Sequence, residues 1–274
     1  MSERVASLWV GKRLTILEKL CLKSFHDLGQ TPILYHYHPI ENAPPYVELR
    51  DAREVLPLDA AERIYIDPVF QSPAVHADLF RLHLMLKTEY IWVDCDAYAV
   101  KPFHSHEGYL LAGRRDGQRR VPNGVLRLPH DSPALQDWIS FVGTVPCIPP
   151  WWDRPTRRIY RRLYGKKVTF SALPLGVIGP LSAYHFLLES GEIELVLPER
   201  ELYALPFSSR HDWFNEDVGQ LEEFDWKLKT SIHFFSSIIR PRLARSRNRV
   251  LASSFFGGLL AQHGLAEDPD VKVI

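Results

Sequence analysis

Residues 90–98 read Tyr-Ile-Trp-Val-Asp-Cys-Asp-Ala-Tyr, a mostly apolar run closed by two aspartates one residue apart. The run predicts a buried strand over 90–95. In a single extended strand, Asp94 and Asp96 point to the same face, with Cys95 turned to the opposite one. Two like charges held this close raise each other's cost, so the pair needs something positive beside it. Immediately upstream, ADLFRLHLMLKT (77–88) has the spacing of a helix that leads straight into the acidic strand.

The same alternation extends outward. VASLWV (5–10) predicts a strand, and LTILEKLCLKSFHDLG (14–29) a helix with Gly29 as its stop. ILYHY (33–37) and VELRDA (47–52) predict two further strands. Downstream, YLLAG (109–113), GVLRL (124–128), IELVLP (193–198) and SIHFFS (231–236) read as strands. SPALQDWISFVG (132–143), capped by Ser132, and LSAYHFLLESG (181–191) read as helices, as does a basic-to-apolar stretch at 242–263. Strand–helix–strand order implies an α/β sheet with parallel pairing, and no linker interrupts it. In such sheets ligands bind beyond the carboxyl ends of the strands, where Asp94 and Asp96 fall.

Composition narrows the class. The 274 residues are 46% hydrophobic, enough for a substantial core. Lys+Arg and Asp+Glu both number 33, a balance unlike that of a dedicated nucleic-acid binder. Cys21, Cys95 and Cys147 form neither a CxxC pair nor a zinc spacing, which suits a reducing, cytoplasmic compartment. The first residues lack a signal-peptide pattern, and no apolar run approaches the ~20 residues needed to cross a bilayer. The expectation is a soluble or peripheral protein.

Paired carboxylates at a strand end suit a hard divalent cation, Mn²⁺ or Mg²⁺, which takes oxygen ligands and shares them with substrate phosphates. The plain alternative is a surface loop carrying two solvated acids. The stretch 77–103, ADLFRLHLMLKTEYIWVDCDAYAVKPF, resembles the DXD-containing sugar-transferase region of glycosyltransferase family 32, and through it the large bacterial toxin glucosyltransferases. That pattern is a helix with Ala/Ser-Asp-x-x-Arg followed by a strand delivering Asp-x-Asp. Ala77, Asp78, Arg81, Asp94 and Asp96 fit it. Weaker echoes follow in the family's order: SLW (7–9), NGVLRLP (123–129), LGVIGP (175–180), LYALPF (202–207) and SIHF (231–234).

The resemblance implies a GT-A-like single α/β domain over 1–274, with a Rossmann-like mixed central sheet flanked by helices. Its donor-binding half would lie at about 1–130, and its acceptor side and metal-closing segment at about 131–274. It implies a metal-dependent, retaining hexosyltransferase using a nucleotide sugar of the UDP-linked class, in bacterial polysaccharide synthesis. Asp96 would ligate the metal, with Asp94 on the donor and reaching the metal through water, and His233 completing the shell. Asp78 and Arg81 would bind sugar hydroxyls, with Arg81 also balancing the acids; at i, i+3 they otherwise make an ordinary helix ion pair. Trp9 is either core or a face for the uracil ring. Asn123 is either a turn residue or a neighbour of the transferred sugar, and Ser236 or Ser237 would meet the diphosphate. Gly179-Pro180 corresponds to a turn near the acceptor. Retention without an unmistakable nucleophile favours same-face attack, with Asp116 and Glu216 the acids that a covalent route would draw on.

Two basic clusters stand apart from this motif. Arg154, Arg157, Arg158, Arg161, Arg162, Lys166 and Lys167 fall at helical spacing, and RPRLARSRNR (240–249) holds a second group. Both are either solvated faces or attractions for anionic lipid headgroups or a phosphorylated glycan acceptor, and the resemblance implies a glycan or lipid-linked saccharide acceptor met at the inner membrane face. Two other functions compete with the transferase. Haloacid-dehalogenase-type phosphatases also end a strand in Asp-x-Asp, and there Asp94 would be the nucleophile. Tyr98 at the motif's last position and the Asp-x-x-Arg helix do not fit that pattern. A catalytically silent nucleotide-sugar or carbohydrate binder is the second alternative.

Overall fold

Thr15 opens the first helix with a cap that its sequence prepares: the Glu18 carboxylate accepts the Thr15 backbone N–H at 2.7 Å and its hydroxyl at 2.6 Å. Gly29 ends the same helix at φ +78°, a conformation that costs glycine little, and the next residue's N–H returns to the Phe25 carbonyl. The computed structural model describes residues 3–59, 63–114, 119–215 and 219–274.

The strands in chain order are β1 Val5–Trp9, β2 Ile33–His36, β3 Glu48–Asp51, β4 Ile91–Val93, β5 Ala97–Ala99, β6 Ala112–Gly113, β7 Val125–Leu126, β8 Leu197–Pro198, β9 Ser231–His233, β10 Arg249–Val250 and β11 Lys272–Val273. The helices are α1 Ile16–Asp27, α2 Ala74–Lys87, α3 Pro133–Gly143, α4 Arg154–Tyr164, α5 Ser182–Ser190, α6 Gly219–Glu222, α7 Ser236–Arg245 and α8 Phe255–Gln262. The chain gathers into two compact units, one of Met1–Asp51, Ile91–Ser105 and Pro198–Ile274, the other of Ala52–Tyr90 and His106–Leu197.

The first unit is mixed α/β. Its parallel strands run in the order β3–β2–β1–β4, with Ala6 opposite both Ile33 and Trp92. The chain therefore leaves β1 toward β2 on one side and later returns to β4 on the other, which makes the carboxyl ends of β1 and β4 a switch point. Helix α1 buries Ile16, Leu17, Leu20 and Cys21 against Tyr98, Ile232, Phe234 and Ile239, while its Leu22 joins Leu34, Ile40 and Cys95. β9 pairs antiparallel with β5, placing His233 opposite Ala97.

The second unit is mainly helical. Trp138 of α3, fully buried, donates its indole N–H to the Ile178 carbonyl at 2.7 Å. Glu192 is also buried but satisfied, accepting from the Tyr109 hydroxyl at 2.6 Å and the Ala134 N–H at 2.7 Å. Ser132 caps α3 as its sequence predicts, with Pro133 following.

Several expected elements are shorter or different. The strand over 231–236 stops at His233, because Phe235 turns to φ 50° and Ser236 begins α7. The helix expected over 242–263 is two helices, α7 and α8, separated by left-handed Arg247 and Asn248 and the short β10. Residues 193–198 form a 3₁₀ turn, Glu192–Leu195, before the two-residue β8. Helical spacing of apolar residues survived these breaks in the sequence, since both halves bury the same kind of side chain.

Candidate functional site

Two clusters of polar side chains carry the candidate residues, one in each unit. In the first unit, β4 ends at Val93, and residues 94–97 fold into a turn closed by the Ala97 N–H on the Asp94 carbonyl at 2.9 Å. The acids thus leave the strand on a turn, which corrects the expectation of one extended strand aiming both. The turn still gathers them: ligand atoms of Asp94, Asp96 and His233 all lie within 4.8 Å of one another. Cys95 points away into the core beside Leu14, Leu22 and Leu34.

Each member is held by a different element. Trp92 donates its indole N–H to Asp94 Oδ1 at 2.9 Å, fixing that carboxylate from within the strand. Asp96 is buried, and its Oδ2 accepts the Ser236 N–H at 2.6 Å, so the first amide of α7 points at the acid. His233 Nε2 stands 3.6 Å from Asp96 Oδ1. Burial opposes the charge of Asp96 most strongly; His233, the Ser236 amide and hydroxyl, and Arg240 outweigh it and hold the carboxyl below its ordinary value.

This donor set fits a divalent cation. Two carboxylates and an imidazole are the oxygen-rich ligands of Mn²⁺ or Mg²⁺ chemistry. The buried His233 Nδ1 has no hydrogen-bond partner among the described residues, an orphan polar atom of the kind found at functional centres.

Trp9 ends β1 at the same carboxyl edge of the sheet, half-buried, with its indole N–H also lacking a partner among the described residues. The Arg240 guanidinium lies over the Trp9 ring at 4.9 Å. The same arginine donates to Glu18 at 2.8 Å, and Glu18 is fully buried. Arg240 and Glu18 escape a motif reading. Their signal was the Thr15-x-x-Glu18 cap together with an arginine heading a basic run, neither of which points to a site by itself. Ser236 contributes its amide to Asp96, and Ser237 is exposed at the start of α7.

The second unit holds Asp78, Arg81 and Asn123, all buried. Asn123 donates its side-chain N–H to Asp78 Oδ1 at 2.8 Å, and Arg81 lies 3.4 Å from the same oxygen. Arg81 also donates to the Asn123 carbonyl and, at 3.2 Å, to the Ala77 carbonyl. The i, i+3 ion pair is therefore real, but it belongs to a buried network. Gly179 completes it: a Cβ there would sit 2.6 Å from Asp78 Oδ2, so only glycine lets the chain pass this close to the carboxylate. Asp116 and Glu216 lie outside the described residues.

The fold and first cluster define an α/β protein with an acid–acid–imidazole group at the carboxyl edge of a parallel sheet. No protein-family model and no curated protein matches the chain. Among solved structures, one described as PaToxG glycosyltransferase is similar over 71% of this chain and 74% of that chain, with 14% identity and a TM-score of 0.45. A likeness that coarse assigns no chemistry to this chain. No described helix is long and apolar enough to cross a membrane.

Proposed function

We propose that the chain, as one GT-A-like domain, is a metal-dependent, retaining glycosyltransferase that moves a hexose from a UDP-sugar to a glycan or lipid-linked acceptor. The observation that carries this reading is the Asp94–Asp96–His233 cluster at the switch point of a parallel sheet. A bound Mn²⁺ or Mg²⁺ would neutralise charge developing on the diphosphate leaving group. Asp96 and His233 would hold that ion, with Asp94 on the donor and Trp92 keeping its carboxylate oriented. Trp9 offers a ring face for the base, and the start of α7 offers Ser236 and Ser237 to phosphate oxygens. Asp78, Arg81 and Asn123 supply paired donors and acceptors of the kind sugar hydroxyls take. The acceptor hydroxyl would attack the face the phosphate leaves, passing its proton to a leaving phosphate oxygen, which yields retention without a protein nucleophile. The protein would act in the cytoplasm and meet a lipid-linked acceptor peripherally at the membrane.

The test is a panel of nucleotide sugars with and without Mn²⁺, read by nucleotide release and thermal stabilisation. Metal-dependent release from one UDP-sugar, abolished in Asp96→Ala, is the expected result. Hydrolysis of a generic phosphomonoester that requires Asp94 would replace the reading with a phosphatase. Stabilisation by a donor, with no turnover even when acceptors are supplied, would replace it with a binding protein.

A further inference from the structure

Helix α4 is an amphipath with no buried residue; Tyr160 packs on Trp152 at 4.5 Å, and the helix's aliphatic side chains stay exposed. Arg154, Arg157, Arg158, Arg161 and Arg162 fall at i, i+3, i+4, i+7 and i+8, one stripe of the helix, and none of its residues is buried. The other side carries Ile159 and Leu163, 55% and 68% exposed, with Tyr160 and Tyr164 beside them. No acidic residue occurs from Arg154 to Lys167. Among the described residues none of the five arginines forms an ion pair; Arg157 only lies near enough to lower the pKa of the N-cap Asp153.

A second apolar projection borders the same helix. Asp67 bridges to Ser72, and its carboxylate accepts the N–H groups of Val69 at 2.9 Å and Phe70 at 2.8 Å. That turn holds Val69 and Phe70 at its tip, 78% and 62% exposed. Val69, Phe70, Tyr160, Tyr164 and Lys167 line one groove of about 530 Å³, so loop tip and helix belong to one face of this unit.

We propose that this face docks on an anionic lipid bilayer, with α4 lying in the interface, Ile159, Leu163, Val69 and Phe70 entering the acyl boundary, and the arginine stripe on the headgroups. This deepens the peripheral membrane contact of the proposed function and names the surface that makes it. Charge occupies one face of the helix and apolar side chains the other, the arrangement that an interfacial helix requires. An acidic protein would need carboxylates matched to five arginines and separate pockets for four apolar tips. An anionic bilayer offers both anywhere on its surface. In the second basic run two arginines are engaged within the fold, Arg240 by Glu18 and Trp9 and Arg242 at 4.7 Å over the Phe214 ring, while Arg245, Arg247 and Arg249 are exposed but have no exposed apolar row beside them comparable to Ile159 and Leu163.

Flotation of the full chain with phosphatidylcholine vesicles, with and without phosphatidylglycerol, tests the proposal. The protein is expected to float with the anionic vesicles alone. Affinity should fall about fivefold for each arginine removed in Arg157→Gln and Arg161→Gln. Ile159→Ser/Leu163→Ser and Val69→Ser/Phe70→Ser should each weaken binding in high salt, where charge is screened. None of these positions is buried, so far-ultraviolet circular dichroism should stay that of the wild type. Absence of wild-type flotation, flotation indifferent to these substitutions, or capture by soluble polyglutamate with none by vesicles would overturn it. Nucleotide release from a UDP-sugar reads the transferase separately, so either idea can fail without the other.

Discussion

Replacing Gly179 by alanine puts a methyl group where the structure has no room. The added Cβ would lie 2.6 Å from Asp78 Oδ2 and 2.9 Å from its Cγ, well inside van der Waals contact. Asp78 cannot swing aside cheaply, because Oδ1 takes the Asn123 N–H at 2.8 Å and faces Arg81 at 3.4 Å, all of them buried. If the carboxylate moves, Arg81 loses a buried partner, a change of about 3–5 kcal/mol when complete. If the backbone at 179 shifts instead, overpacking costs about 1–3 kcal/mol. The cheaper route sets the expectation for Gly179→Ala at about 2 kcal/mol, read by urea denaturation with an unchanged slope. Asp78→Ala should cost about 3 kcal/mol by itself, but in that background alanine at 179 meets no carboxylate and should cost under about 0.5 kcal/mol more. Strict additivity in the cycle, or a Gly179→Ala protein as stable as the wild type, would refute the close approach as the reason for glycine.

Burial holds the His76 imidazole neutral, lowering its pKa from 6.5 to about 4. A depressed folded value gives stability that is complete above 6.5 and lost as pH falls toward 4; the loss is about 3 kcal/mol. Urea titrations across that window should show the slope in the wild type and a flatter one in His76→Gln, and equal slopes would sink the assignment. Arg240→Met should cost about 1–2 kcal/mol, since it leaves Glu18 buried without its cation; the arginine's 41% side-chain exposure keeps the figure below that of a fully buried pair. Arg240→Lys should recover part of that loss, and a methionine variant that melts with the wild type would show the contact to be idle.

The early part of the chain was legible because its signals are local. The apolar spacing of residues 14–28 and Gly29 place α1 to within about two residues of Ile16–Asp27. The short β-rich runs gave β1, β2 and β3 for the same reason. Residues 231–263 misled: the apolar content of SIHFFS continues past the point where Phe235 turns left-handed, and periodicity ran through Arg247 and Asn248. Nothing in residue types marks a break that a fold imposes from outside the segment. The 193–198 run differs from its expected strand likewise, because a short apolar stretch fits a 3₁₀ turn as well as a strand.

For the candidate site, the sequence by itself determined that two carboxylates follow a buried strand and that Asp78 and Arg81 share a helix face. Spacing along one element is a property of neighbours in the chain, and side-chain periodicity carries it. Tertiary structure decided the rest. It replaced the extended delivery of Asp94 and Asp96 with a turn, and it brought His233 to them by pairing β9 with β5. It also aimed the first amide of α7 at Asp96, drew Arg240 out of a basic run onto Glu18 and Trp9, and left the arginines of α4 unpaired among the described residues. Those outcomes depend on which distant strands pair and which faces are buried. Such long-range choices are made by the packing of the whole chain, and no local pattern encodes them.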